Sequence, residues 1–369
     1  MINFLPAHLY NPAYLSVMTL VTLYLFYKYA GMGTEQLINT RRSYAFSVIL
    51  ALVLTIVIGL RPRSIFFGDM GAYIGEYNRY ADGTKVISTT QDPVWTSIMY
   101  AFATSGLRVE WFFLLVEFIY IFCIFWACRR FSPDNTDILF VAALSAMSFF
   151  TYGTNGIRNG AATSIFLLAL SFLKGGFVNK IIYALLSLIA LNVHGSIIIP
   201  FAASLGALFI KNKKLLIYGW VGAVLLSFFW GGVVQNFFSA LGLDSRMEDY
   251  LSSSNYADEI GGRFRWDFLL YSSVPVIIGA YAIFKRKIYT DTYALLLGTY
   301  IFANIIWIFL IRARFSNRFA YLSWFLYPIV LVYPLIEMPL FKKAPGLKLS
   351  IILIGQLVFT ILMWAIMGF

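Results

Sequence analysis

Histidine, cysteine and acidic residues are scarce in this chain, whose 369 residues include two histidines, two cysteines and 17 Asp+Glu. Each scarcity excludes something. His8 and His194 are too few for a histidine-rich metal site, and Cys123 and Cys128, both near the end of one apolar stretch, match neither a disulfide nor a metal framework. Charged residues make up only 12% of the chain, about half the usual share of a soluble domain, so a soluble globular protein is excluded. The short alternating strands of a membrane β-barrel are absent. So are a Walker-type phosphate loop, an H-E-x-x-H zinc motif and an acid pair spaced like a metal-binding D-x-D. Nucleotide hydrolysis, zinc proteolysis and a cytoplasmic nucleotide-sugar site therefore lack support, and no metal or cofactor is expected. The first apolar run, starting near Leu15, has no basic region before it and no small-residue cleavage site after it, so no cleavable signal peptide is expected.

What the chain does have is 60% hydrophobic residues and a mean hydropathy of +0.77. Apolar runs recur near 11–30, 44–60, 110–127, 136–152, 157–174, 178–193, 195–210, 214–231, 266–284, 291–311, 318–337 and 349–367. Each is roughly the length that crosses ~30 Å of hydrocarbon as a helix. The expected fold is all-α, a polytopic integral membrane protein of about 12 transmembrane helices. The segment Pro93 to Ser105, opening with Asp92-Pro93, is too short and too weakly apolar to span and reads as an interfacial or re-entrant helix. Two longer outer loops, 61–109 and 232–265, are expected to carry function. No linker, low-complexity tract or internal repeat appears, so residues 1–369 read as a single membrane domain.

The net charge of +11 has to be divided between the two membrane faces before it implies a partner, and no nucleic acid is expected. With the amino terminus outside, one face receives Lys28, Arg41, Arg42, Arg129, Arg130, Lys174, Lys180, the lysines of 211–214, Lys285 to Lys287, Lys342, Lys343 and Lys348, and the positive-inside rule makes it cytoplasmic. The opposite face then holds one lysine, Lys85, but Arg61, Arg63, Arg79, Arg108, Arg158, Arg246, Arg263, Arg265, Arg312, Arg314 and Arg318. Lysine suffices for topology, whereas arginine presents a planar fork that grips phosphate or carboxylate. The outer face therefore reads as built to hold an anion. The plainer alternative pairs these arginines with outer acids such as Asp69, Glu76 and Asp267.

Four stretches carry candidate chemistry. In TYGTNGIRNGAATS, Thr154 or Asn155 reads as a helix cap and Arg158 falls in the first turn, where a cation opposes the helix dipole. A phosphate or pyrophosphate at that helix end would remove the conflict. The G-x-x-x-G of Gly156 and Gly160 is the signature of close helix packing. In LNVHGSIIIP, lysines flank the apolar stretch on both sides, so 181–210 reads as a hairpin with His194-Gly195 at its outer apex. A histidine there is either a general base, since its pKa lies near neutrality, or a helix cap. After Arg61 and Arg63, Asp69, Tyr73 and Tyr77 share one helical face suited to a sugar, with Asp69 a second candidate base; anchoring tyrosines of an interfacial helix explain the aromatics as well. In RARFSNRFAYLSW, Arg314 and Arg318 share a face with Tyr321, and Arg312 ends the preceding helix. Arg263 and Arg265, with Asp267 behind them, are weaker candidates. Glu117 is an intramembrane acid, to be expected either in function or in a pair with one of these arginines.

The order Arg61, Gly68-Asp69, Tyr73, Asp92-Pro93, Ile157-Arg158-Asn159-Gly160-Ala161-Ala162, Ala190, His194-Gly195-Ser196, Arg314, Arg318, Tyr321 resembles the EpsG-like branch of the Wzy-type polysaccharide polymerases across most of the chain. Asn159 departs from the pattern, where a glutamine or similar polar residue is expected. That family resembles the O-antigen ligases in architecture. The resemblance implies a glycosyltransferase on the outer face of the bacterial inner membrane, joining oligosaccharide repeat units carried on undecaprenyl pyrophosphate. Its expected partners are those lipid-linked units, the bilayer, and a flippase and chain-length regulator of the same pathway. It maps Arg158, Arg314, Arg318, Arg61 and Arg63 onto groups holding pyrophosphate, and His194 and Asp69 onto the active site, with Tyr73, Tyr77, Tyr321, Arg265 and Arg312 as weaker glycan contacts.

Two rivals from other classes are a transporter or flippase of lipid-linked saccharides, which intramembrane arginines would also suit, and a membrane acyltransferase, whose essential histidine would be expected to communicate with the cytoplasm. Paired halves with broken helices, common in transporters, are not visible in the sequence. Topology mapping separates these readings. A thiol probe at position 194 should be labelled from outside intact cells, and labelling only from the cytoplasm would overturn the polymerase reading.

Overall fold

In the computed structural model of this chain, every regular element among the described residues is helical, as uninterrupted apolar runs require. The structure describes residues 4–39, 44–88, 90–210, 212–240, 264–313 and 316–367, without the side chains of 39, 234–240 and 367. In chain order the helices are α1 Tyr10–Tyr29, α2 Thr34–Asn39, α3 Ala45–Gly59, α4 Met70–Ala81, α5 Pro93–Thr104, α6 Val109–Phe131, α7 Thr136–Leu144, α8 Met147–Thr154, α9 Ile157–Leu170 and α10 Phe177–Val193. They continue with α11 Ile198–Phe209, α12 Lys214–Ala240, α13 Trp266–Ala280, α14 Asp291–Phe309, α15 Ser316–Trp324, α16 Tyr327–Ile336 and α17 Pro345–Met367.

Among the described residues, 7 helical stretches are long and apolar enough to cross a membrane; α7 with α8 forms a bent pair, and α3, α9, α10 and Gly195–Phe209 are shorter apolar helices. The chain is a polytopic membrane protein, and these elements fall where the apolar runs lie. Helix α5 has 12 residues, about 18 Å at 1.5 Å per residue, short of a bilayer's hydrocarbon. Three expected spans differ in detail. The run 136–152 is no single helix but bends by 68° between α7 and α8. The run 318–337 divides into α15 and α16, and α12 carries a non-helical residue, Trp230, at φ −124° and ψ 29°.

The helices pack into two compact units, residues Met1–Ile198 with Val332–Phe369, and residues Ile199–Leu331. One boundary falls at the first residue of α11 and the other inside α16, so no linker composition marks them. In the first unit α6 packs against α3 and α9, α9 against α10, and α1 against α17. The small residues of the TNGIRNGAA stretch are explained by this packing. A Cβ on Gly160 would come 2.5 Å from the Tyr152 carbonyl oxygen, so only glycine lets α9 fold back against α8.

A helix broken inside a membrane protein leaves carbonyls that must find donors, because hydrocarbon supplies none. At the α7–α8 bend the donors come from the neighbouring α1 and α17. Tyr14 Oη donates to the Leu144 carbonyl at 2.5 Å, Gln356 Nε2 to that of Ala142 at 2.6 Å, and Thr360 Oγ1 to that of Ser145 at 2.9 Å. In the second unit Asn304 of α14 plays a similar part, accepting from Trp220 Nε1 at 2.7 Å and donating to Ser323 Oγ at 3.0 Å, which ties α12 and α15 to α14. Replacing Tyr14 by Phe leaves its ring in place and strands the Leu144 carbonyl. That change, or Thr360→Val, should each cost about 1–3 kcal/mol, read as a lowered unfolding midpoint in detergent, whereas Thr104→Val on an exposed turn should leave the midpoint in place.

Candidate active site

Three arginines of the first unit, Arg61, Arg63 and Arg158, each meet an oxygen near the ends of α3, α8 and α9. Arg61 leaves α3 and is 1% exposed. Its Nη1 donates to the Ile58 carbonyl at 2.8 Å and its Nη2 to that of Thr154 at 2.9 Å, joining the end of α3 to the end of α8. Its guanidinium carbon lies 5.4 Å and 5.5 Å from the ring centres of Phe67 and Phe113. Burial draws Arg61 down to about 10 against the upward pull of Glu117, so it remains charged at neutral pH. Glu117 itself is 1% exposed within α6, with one carboxylate oxygen 2.9 Å from where a Cβ on Gly153 would stand. Among the described residues Glu117 forms no ion pair with an arginine, and its Oε1 is buried without a hydrogen-bond partner. Arg63 is 43% exposed and reaches Glu110 through Nε at 3.1 Å and Nη2 at 2.9 Å.

Helix α4 begins at Asp69. The Asp69 N–H donates to Asn155 Oδ1 at 2.8 Å, which fastens the start of α4 to the α8–α9 corner. The residue before it, Gly68, has φ +57°, and a Cβ there would overlap the Asn155 amide. Asp69 caps α4 without a side-chain hydrogen bond to that helix's own N–H groups, and its residue is exposed. Tyr73, half-buried one turn on, lies with its ring 5.6 Å from that of Trp95. Tyr77 is buried, and its hydroxyl donates to the Leu107 carbonyl at 2.8 Å. Burial, with Glu110 adding to it, raises its phenol above the ordinary value.

The centre of this end is a residue absent from the sequence-derived site. Asp92 adopts a left-handed backbone, φ 48° and ψ 54°, immediately before Pro93 at the first position of α5. The proline disfavours a right-handed helical conformation in the preceding residue. Its carboxylate, 4% exposed, accepts the Gly195 N–H on Oδ1 at 3.0 Å and meets Arg158 Nη1 on Oδ2 at 3.0 Å. One carboxylate therefore joins the starts of α5 and α9 to the turn after α10. The cation at the wrong pole of α9 has its anion. Arg158, whose side chain is 29% exposed, gives a single nitrogen to that bridge, and its buried Nε has no hydrogen-bond partner among the described residues. Trp95 Nε1, Asn159 Oδ1 and Ser196 Oγ are likewise buried without hydrogen-bond partners among the described residues. The caps expected at Thr154 or Asn155 are replaced by Gly156, which makes no side-chain cap.

His194 ends α10 with an extended backbone, φ −153° and ψ 118°, and its Nδ1 accepts the Ser196 N–H at a long 3.5 Å. The expected helix break at His194-Gly195 is present, as a short turn of 3-10 helix between α10 and α11. A neutral imidazole that accepts at Nδ1 carries its proton on Nε2 and offers a donor there. Among the described residues no three His, Cys, Asp or Glu side chains come together as a metal site would require.

In the second unit, Arg265 pairs with Asp267 through Nε at 3.0 Å and Nη2 at 2.6 Å and lies 3.5 Å over the Phe268 ring, the plainer fate open to an outer arginine. Arg312 sits beside the irregular residue of α12: its Nη2 donates to the Phe228 carbonyl at 3.5 Å, and a Cβ on Gly231 would come within 2.6 Å of its Nε. Arg318 is exposed on α15, and Tyr321 is buried. Arg314, Arg263, Arg246, Arg41, Arg42, Lys211 and most of the 232–265 loop lie outside the described residues.

Asp92 could have been marked from sequence by its place in an Asp-Pro pair opening a helix, but no local pattern names its partners. Compared with known proteins, residues 44–369 match the family model described as the EpsG family. No curated protein and no solved structure matches the chain.

The Gly68–Asn155 contact gives a sharp test. Gly68→Ala should lower stability by about 1 kcal/mol or more, through both the positive φ and the overlap with Asn155. Gly71→Ala lies in α4 with open space around the new methyl, and should be neutral or stabilising by up to about 1 kcal/mol. Thermal unfolding of the two variants in detergent reads the difference in sign.

Proposed function

The chain belongs to the EpsG family, the family of Wzy-like polysaccharide polymerases, and from that premise we propose that it joins lipid-pyrophosphate-linked oligosaccharide repeat units on the outer face of the bacterial cytoplasmic membrane. The observation that carries the reading is the meeting of Arg158 and the Gly195 N–H on the Asp92 carboxylate at the start of α9, with His194 next in the chain to Gly195. A cation with spare donors at a helix N-terminus is what a departing oxyanion needs in the transition state, which supports this reading.

In the proposed reaction a terminal hydroxyl of an incoming lipid-linked repeat unit attacks the anomeric carbon of the growing glycan. The carbon–oxygen bond to the undecaprenyl pyrophosphate breaks, and the departing oxygen keeps the electron pair. Arg158 stabilises that charge while Asp92 holds its guanidinium in place, and His194 donates from Nε2 to the same anion. The exposed Asp69 carboxylate takes the hydroxyl proton and later returns it to solvent. Tyr73, beside Trp95, offers an aromatic face to the sugar. Arg61 and Arg63, occupied by carbonyls and by Glu110, hold the surrounding helices. Arg318, exposed on α15, and Arg314 are proposed anion-holding groups of the second unit.

The broken α7–α8 pair has the form of a transporter's discontinuous helix, but the Ala142, Leu144 and Ser145 carbonyls at the bend already accept protein donors. Purified protein given lipid-linked repeat units should produce a ladder of longer glycans. Arg158→Ala should slow it by roughly a hundredfold or more, with Asp69→Asn equally damaging. A donor role for His194 predicts that His194→Gln, which keeps an N–H, outperforms His194→Ala; equal loss in both would restore it as the base. No ladder from the wild-type protein with its own substrate would sink the polymerase reading.

A further inference from the structure

At the other end of α6, away from Arg63 and Glu110, two adjacent cations stand beside an open cleft. Arg129 lies with its guanidinium carbon 3.7 Å from the centre of the Tyr44 ring, and Arg130 lies 3.5 Å from that of Phe172 while its Nε donates to Ser171 Oγ at 3.0 Å. Among the described residues neither forms an ion pair. Between them and the end of α9 opens a cleft of about 560 Å³ lined by Trp126, Arg129, Arg130, Pro133, Leu168 and Phe172. Leu168 lies about 15 Å along α9 from Arg158, so the cleft is separate from the Asp92 site.

Topology alone would explain two cations at a helix end, and ring stacking alone would explain their order. Neither explains a space of ligand size between them. A guanidinium stacked on a ring has its face covered and its edge N–H groups left for an oxyanion, and an arginine pair offers two such edges. The rest of the lining, Trp126, Leu168 and Phe172, is apolar, and Trp126 is half exposed at 49%. A phosphate joined directly to hydrocarbon matches both halves. We propose that this cleft binds an anionic membrane phospholipid, its phosphate between Arg129 and Arg130 and the first carbons of its acyl chains against Trp126, Leu168 and Phe172. By the lysine distribution the lipid would come from the cytoplasmic leaflet. The proposal rests on the cleft and is independent of the polymerase reading.

The test is native mass spectrometry of the full chain in detergent, after exposure to equal amounts of phosphatidylglycerol and phosphatidylcholine with the same acyl chains. The wild-type protein should retain phosphatidylglycerol roughly tenfold or more over phosphatidylcholine, and the double variant Arg129→Gln/Arg130→Gln should retain the two alike. Leu168→Trp keeps both arginines and fills the cleft; it too should lower phosphatidylglycerol retention, and it decides the matter if the double variant does not fold. Lys342→Gln/Lys343→Gln removes two exposed cations elsewhere and should change nothing. The proposal is overturned by equal retention of both lipids in the wild type, by undiminished preference in Leu168→Trp, or by displacement of the lipid with millimolar inorganic phosphate, which would mark a free-phosphate site.

Discussion

A single buried carboxylate organises the first unit. Asp92 is nearly closed off from solvent, and an isolated charge in such a place would be costly by several kcal/mol. Two donors, the Arg158 guanidinium and the Gly195 N–H, make it tolerable. The same contacts hold Asp92 in a left-handed conformation that a non-glycine residue adopts at a cost of order 1–3 kcal/mol. Pro93 disfavours the ordinary helical alternative for it, so the residue can serve as the fixed point where α5, α9 and the end of α10 meet.

This arrangement reconciles two accounts of Arg158. Its position at the positive end of α9 calls for an anion, and Asp92 supplies one. Arginine has five N–H donors, and the bridge uses one nitrogen, so a second anion can be held without losing the first. Asp92 thus acts as a positioning group for the cation it neutralises. The other arginines of this end are in different circumstances. Arg61 is enclosed and braces two helix ends, and Arg63 is paired with Glu110. The arginines of this end are therefore partly scaffold, and Arg158 keeps donors beyond its bridge to Asp92.

The polar groups within the helical layer follow the same rule. The α7–α8 bend is supported by three side chains on α1 and α17 that meet its carbonyls. Each compensating group comes from a segment distant in sequence, which is why the bend could not be anticipated from the unbroken apolar run 136–152.

Hydropathy alone was enough to establish a polytopic helical membrane protein, the positions of its helices and the helix break at His194, because span length and apolarity are properties of contiguous residues. The ordered short motifs also placed the chain near the family that it matches. Partnerships were decided only in three dimensions. Sequence could not distinguish an arginine that braces a corner, as Arg61 does, from one that keeps donors to spare, as Arg158 does, nor could it show Tyr77 turned inward to the Leu107 carbonyl while Tyr73 lies beside Trp95. Asp92 shows the reason most directly. Its residue type and its proline neighbour are local, but its meaning depends on Arg158 and Gly195, and only the packing of α5, α9 and α10 brings those within 3.0 Å of one carboxylate.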